Sequence, residues 1–306
     1  MSQDFSTESY HRHQNHYEQS FNEKLFSSWF NKNTTDYWRH ERMYSGVEPL
    51  IKSDLNAKWL TVGDGRFGRD ASYIASKGIK DVLASDISDT CLKIGMEKGF
   101  ISKYSIENAE ALSLQDNSID YVLCKESYHH FPRPMVALYE MIRVAKKTVI
   151  LMEPQDSNIL IPSRFNIGAA LKWFIQALKN TVKTKLGKEI YYHYGNYEEV
   201  GNYVFSISER EIEKVALGLN FEMVSFKGLN DHYIKGGEFE EKTKNAPIYK
   251  EINRHIHKAD TRVKKGLQNA GLLTAMIHKT TPDQTTLQAL EQQGFIHRKL
   301  SRNPYC

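Results

Sequence analysis

The chain has 306 residues, 40% of them apolar and 25% charged, with a formal net charge of +4. That length suits one elaborated domain or one domain with a smaller cap, and the mild charge permits nucleic-acid binding without requiring it. No apolar run approaches the roughly 20 residues of a membrane span, Met1-Ser2-Gln3-Asp4-Phe5 does not resemble a signal peptide, and Cys91, Cys124 and Cys306 suggest neither a disulfide framework nor a thiolate zinc site, so a cytoplasmic location is expected.

Residues 1–50 read as a polar N-terminus followed by helical cover. His11, His13 and His16 lack a carboxylate or cysteine partner at ligand spacing, so no metal site is expected. From Thr34 to Leu50, Tyr37, Trp38, Met43, Val47 and Leu50 recur at helical spacing behind Thr34 and Asp36 as caps. Residues 51–155 begin with an apolar run, Trp59 to Val62, that ends in Gly63, Gly65 and Gly68 and passes at once into Asp70-Ala71-Ser72-Tyr73-Ile74-Ala75. This is a strand, a tight turn and a helix, where glycines let backbone approach a ligand and a helix start offers free N–H groups. The G-x-G-x-x-G spelling is shared with nicotinamide and flavin proteins, and with turns that bind nothing. A second short strand closes on Asp86, 23 residues beyond Gly63, where a carboxylate can accept two hydrogen bonds from a ribose diol.

A helix from Thr90 to Lys98, a strand-like piece from Ile101 to Ile106, a strand through Ile119 to Cys124, a helix from Met135 to Ala145 and a strand from Thr148 to Pro154 follow. This alternation predicts an α/β, Rossmann-like doubly wound sheet, mostly parallel. Downstream, Ser208 caps a helix, Phe221–Phe226 and Leu272–Ile277 read as sixth and seventh strands, and Thr285–Arg298 reads as helical. Residues 156–205 form a basic and aromatic insertion that reads as a lid, and 206–306 complete the sheet around a charged insertion at about 238–267.

Several of these motifs, in order, resemble the class I S-adenosylmethionine-dependent methyltransferases. They are the glycine turn, Asp86, Asn108-Ala109-Glu110-Ala111-Leu112, Asp116 to Val122, Tyr128-His129-His130-Phe131, Glu140 to Val144 and Val149 to Pro154. Within that family the order is most similar to the ubiquinone and menaquinone methyltransferase group, the type 11 domain, over residues 59–154. The resemblance implies an antiparallel seventh strand and S-adenosylmethionine as cofactor. It places Gly63, Asp64, Gly65, Phe67 and Gly68 at the amino-acid part, Asp86 on the ribose, Ile87 on the adenine face, Asn108 and Ala109 at its edge, and Lys125 beside the sulfonium. Thr61 stands where the family usually has an acid, and Phe67 stands where it has its third glycine.

Methyl transfer is an in-line displacement, so the protein supplies alignment and, for an oxygen or nitrogen nucleophile, a base. His129 and His130, just past the fourth strand, are the candidate bases, with a role as pocket wall as the alternative. The leading expectation is a small-molecule or glycan-precursor acceptor; an RNA methyltransferase and a cofactor-binding regulator without turnover are the alternatives. Arg164 and five lysines between Lys172 and Lys188 accompany an apolar stripe from Ile167 to Val182. That stretch reads as a half-buried lid, as an interfacial helix at anionic lipid, or as a lid attracting a phosphate-bearing acceptor.

Overall fold

The computed structural model describes residues 8–12, 14–15, 23–156 and 203–305. The insertion at 157–202, with its basic stripe and its aromatic cluster at Tyr191–Tyr194, lies outside the described residues.

The N-terminal cover includes α1 (Glu23–Ser28), α2 (Thr35–Tyr44) and α3 (Glu48–Ser53). Thr34 caps α2 as its sequence suggests, its hydroxyl accepting the Tyr37 N–H at 3.1 Å. The stretch from Thr34 to Leu50 is not one helix. Gly46 and Val47 bond back three residues, to Met43 and Tyr44, and Pro49, which has no N–H to give, begins a new helix.

The sheet is laid down by β1 (Lys58–Val62), β2 (Asp81–Asp86), β3 (Tyr104–Ile106), β4 (Ile119–Lys125), β5 (Ala145–Pro154), β6 (Met223–Leu229), β7 (Leu272–His278) and β8 (Ile296–Lys299). Between them run α4 (Arg69–Ser76), α5 (Thr90–Glu97), α6 (Pro134–Val144), α7 (Glu209–Gly218), α8 (Pro247–Lys264) and α9 (Gln284–Gln292). The strand order is β3-β2-β1-β4-β5-β7-β6-β8, parallel from β3 to β5, with β7 antiparallel to both its neighbours. The C-terminal helical expectation needs correction. The helix stops at Gln292, and Ile296–Lys299 pairs antiparallel with β6 as an eighth strand.

Both faces of the sheet are buried, which is why β1 and β4 read as nearly continuous apolar runs. Along β1, Leu60 and Val62 enter one cluster with Leu138 and Met141 of α6 and Ile212 of α7. Trp59 enters the other, with Leu50 and Ile51 of α3, Ile74 of α4 and Leu290 of α9. Strand order reverses between β1 and β4, so their carboxyl ends open a crevice of the kind in which such sheets bind ligands. At the opposite edge, His278 is buried between the hydroxyls of Thr148 and Ser225, at 3.1 and 2.7 Å. Burial pushes its imidazole down to about 3, so it is neutral.

Candidate active site

Two cavities meet at the crevice. The first, of about 610 Å³, has Val62 and Gly63 from the end of β1, Asp86, Ile87 and Ser88 from the end of β2, Glu107 and Ala109 from the loop after β3, and Ser127, His130 and Phe131 after β4; Tyr10 and Gln14 of the N-terminal cover complete it. The second, of about 400 Å³, shares Gly63, Ser127 and His130 and is otherwise ionic.

The glycine turn brings these walls together by close approach. A Cβ at Gly63 would lie 2.4 Å from that of Ser127, and one at Gly65 would lie 2.8 Å from Asp86 Oδ2. Neither clash can be relieved without moving a wall of the first cavity. Asp64 does something the sequence did not disclose. Its carboxylate is buried, accepts the Thr61 hydroxyl at 2.8 Å and the N–H groups of Asp70 and Ala71 at 3.0 and 2.9 Å, and so ties the turn to the start of α4. The acid missing at 61 is thus offset by one three residues later, and Thr61 is its partner.

Phe67 keeps the left-handed backbone of the glycine it replaces, at φ +61°, followed by Gly68 at +70°. A phenylalanine there is strained, and the strain is held by packing. The ring is fully buried against Trp29 and Cys91, with Phe30 and Phe100 beside it. Its side chain therefore faces the N-terminal cover, and only the backbone of Phe67 belongs to the turn.

Asp86 accepts the Ser88 N–H at 3.1 Å, and burial raises its carboxyl to about 6 against the lowering effect of N–H donors from Ser88, Gly65 and Ile87. Ile87 and Ala109 form apolar walls in the same cavity. Asn108 Oδ1 closes a turn by accepting the Glu110 N–H at 2.9 Å, which leaves Glu107 and Ala109 as the lining at this loop. The Glu107 carboxylate is fixed by Ser105 and Ser113 hydroxyls, both at 2.7 Å.

In the second cavity the cations Arg66, Arg69 and Lys125 face the acids Asp64, Asp70 and Glu126. Lys125 Nζ donates to His40 Nδ1 at 3.0 Å and to Glu126. Burial, with Arg69 and Lys125 nearby, holds His40 well below the usual imidazole range, so it accepts as a neutral ring. Glu126, which burial alone would raise, is pulled down to about 2 by Lys125 and Arg66. Burial raises Asp64 well above the carboxylate range, and Asp70 adds to it. Arg39 lies behind this wall, paired to Asp36 at 2.7 Å and to Asp231 at 3.1 Å.

The two histidines are not equivalent. His130 lines both cavities. The His129 ring lies tilted at 44° against it with centroids 3.9 Å apart, and its Nδ1 stands 2.6 Å from Oε2 of Glu153, a fully buried acid near the end of β5. Sequence reasoning missed Glu153, Ser127, His40 and Glu107. Their only signal was position, since three of them sit at or just beyond the carboxyl ends of strands and His40 lies on α2, 85 residues before the Lys125 it meets.

Donors and walls of this kind suit an adenosine with a charged amino-acid tail. Apolar side chains and the Asp86 carboxyl line the first cavity, and the adjoining cavity carries both signs of charge.

Residues 60–152 match the family model described as a methyltransferase domain. No curated protein matches the chain. Among solved structures, it is similar to a SAM-dependent methyltransferase from Aquifex aeolicus (19% identity, 37% of this chain and 66% of that one, TM-score 0.32). It is also similar to a possible histamine N-methyltransferase from Thermotoga maritima (15%, 84% and 99%, TM-score 0.42) and to magnesium protoporphyrin IX methyltransferase from Synechocystis PCC 6803 with bound SAH (15%, 76% and 91%, TM-score 0.42). The match to a methyltransferase domain is confined to residues 60–152 of the chain.

Proposed function

We propose that the chain transfers the methyl group of S-adenosylmethionine to a small-molecule or glycan-precursor acceptor, with a histidine after β4 receiving the acceptor's proton. The observation that supports this reading is the junction of the two cavities at Gly63, Ser127 and His130, with the His129 ring against that of His130. When bound, the cofactor supplies a methyl group already activated on a sulfonium. Asp86 would hold the ribose, Ile87 and Ala109 the adenine, and the ionic cavity the amino-acid end. Gly63, Asp64, Gly65, Phe67 and Gly68 would contribute backbone, Asn108 the turn that presents Ala109, and Lys125 a charge beside the tail. The likeness to the ubiquinone and menaquinone group belongs to this reading too.

A phosphate-bearing acceptor and peripheral membrane contact through 167–188 are parts of the proposal whose residues lie outside those described. The same holds for the basic surface of an RNA-methylating alternative. Among the described residues no helix is long and apolar enough to cross a membrane.

The test is mass spectrometry of metabolites and glycans from cells with and without the protein. A species heavier by about 14 Da, one methyl for one hydrogen, is expected only in the former, as an alignment-type transfer requires. Binding of S-adenosylhomocysteine with no such species in metabolites, glycans or RNA would favour a regulator without turnover.

A further inference from the structure

Glu153 ends β5 with a side chain wholly shielded from solvent. A buried carboxylate has to be matched by donors, and three surround it. Oε1 accepts the N–H of Ser127 at 2.9 Å and of Tyr128 at 3.0 Å, while Oε2 lies 2.6 Å from His129 Nδ1. An ionised carboxylate only accepts, so His129 is the donor; its proton sits on Nδ1 and its lone pair on Nε2.

We propose that Glu153 is a positioning residue for methyl transfer, holding His129 in the one tautomer whose Nε2 can take the acceptor's proton. This rests on the reading of His129 as the base. In the transfer, a lone pair of the acceptor's oxygen or nitrogen forms the new bond to carbon, and the carbon–sulfur pair stays on sulfur. The acceptor's proton passes to Nε2. The positive charge that leaves sulfur becomes an imidazolium charge, and the Glu153 carboxylate already stands beside the ring that receives it.

The same carboxylate reaches the cofactor turn. Ser127, whose N–H it holds, donates its hydroxyl to the Gly63 carbonyl at 2.7 Å. Base and glycine turn are therefore set from one buried group on the central sheet. Other titratable groups are packed against the pair. Cys124 of β4 has its Sγ 4.0 Å from Oε1, and burial, reinforced by Glu153, keeps its thiol protonated. Tyr128 is raised by burial and by Glu211 of α7, itself raised by burial, and the His130 ring lies tilted at 44° to the imidazole.

Glu153→Gln isolates the His129 arm. Its amide oxygen can keep the two backbone N–H groups, but its NH₂ then meets Nδ1 and forces the ring proton to Nε2. The experiment is ¹⁵N–¹H correlation of the imidazoles in the full chain without cofactor, with the His129 signals assigned through His129→Gln. Expected are an Nδ1–H tautomer in the wild type, the reversed tautomer in Glu153→Gln, and a His129 pKa lower there by about one unit or more. Incorporation of labelled methyl from S-adenosylmethionine into cell extract should fall by roughly 10²–10⁴, as for a base held in its wrong tautomer, while S-adenosylhomocysteine affinity stays within about threefold.

An Nε2–H tautomer in the wild type, or an unchanged one in Glu153→Gln, overturns the inference. If that variant does not fold, the wild-type spectrum decides by itself, and Glu153→Asp should retain the Nδ1–H tautomer. The spectrum needs no turnover. An extract left unlabelled by a wild type that shows the Nδ1–H tautomer refutes methyl transfer, whereas a labelled extract with the wrong tautomer refutes only the role of Glu153.

Discussion

Asp86 and Gly65 are in such close register that a methyl group added to Gly65 would lie 2.8 Å from Asp86 Oδ2. The turn thus crowds the carboxylate, and the loss of hydration that crowding brings is what lifts its carboxyl to about 6. Asp86→Asn should weaken S-adenosylhomocysteine binding by about 1.5–3 kcal/mol, the range for hydrogen bonds to a charged group. In the wild type, affinity should fall as pH drops through about 6, because the ligand needs the ionised form. Apo stability moves the other way. The folded state holds this proton at a pH where the unfolded chain has lost it, so stability from Asp86 is lost as pH rises through that window. Asp86→Asn should therefore melt higher than wild type at pH 7 without ligand. Calorimetry and thermal melts at pH 5, 6 and 7 would show both trends, and a ligand affinity indifferent to pH and to the substitution would sink the ribose assignment.

The two histidines should separate kinetically. His129→Ala is expected to lower kcat by roughly two to four orders of magnitude with cofactor affinity near normal, since it removes the ring held by Glu153 and leaves His130 in place. His130→Ala removes a wall common to both cavities and should act mainly on cofactor Kd and acceptor KM. Equal turnover in both variants and the wild type would mean that the acceptor needs no histidine base.

Phe67 combines a left-handed backbone with a fully buried ring. Phe67→Ala keeps the strain and loses the packing, which should cost about 3–5 kcal/mol. Phe67→Gly loses the same packing but relieves the backbone, and should be the more stable of the two by about 1 kcal/mol. Urea unfolding of the pair checks the order; a glycine variant less stable than the alanine variant would contradict the strain.

Acid should weaken the fold through its buried imidazoles. His278 titrates near 3 when folded, and His40 also lies well below the usual range. Each is neutral in the native state, so the unfolded chain takes up the proton first and stability is lost as pH falls below about 6.5, by up to about 1.4 kcal/mol per pH unit for each group. The raised carboxyls of Asp86, Asp64 and Asp70 oppose this, so the imidazole contribution is read by difference. Between pH 7 and 5 the urea midpoint of the wild type should fall relative to that of His278→Gln, and parallel profiles would contradict it.

Much of the framework was legible because periodicity reports burial. The two-faced burial of β1 and β4 wrote continuous apolar runs, and caps at Thr34 and Ser208 announced their helices through hydroxyls that accept N–H groups at 3.1 Å. The eighth strand escaped because Ile296–Lys299 lies at an edge, largely exposed, with neither alternation nor apolar content to mark it. In the site, Asp86 stood out by its spacing from Gly63, and Ile87 and Ala109 entered only through the family resemblance. Glu153 was readable only as the end of a strand. What makes it matter is its partnership with a histidine 24 residues earlier, a tertiary fact that no local pattern encodes.

The bond from Arg39 to Asp231 joins residues 192 positions apart, and beside it Asp36 N–H meets the Gly237 carbonyl at 3.0 Å and the Thr35 hydroxyl meets Glu240 at 2.8 Å. These contacts clasp the N-terminal cover to the segment after β6, and the clasp supports the His40 side of the ionic cavity. Both partners lie outside residues 60–152. A fragment excised to the boundaries of that match would carry the glycine turn and Asp86 yet lack His40 and the clasp behind the ionic cavity. In domain dissection or fusion design, the smallest autonomous unit of this protein is therefore set by a handshake between its two ends, and the recognisable motif is only its middle.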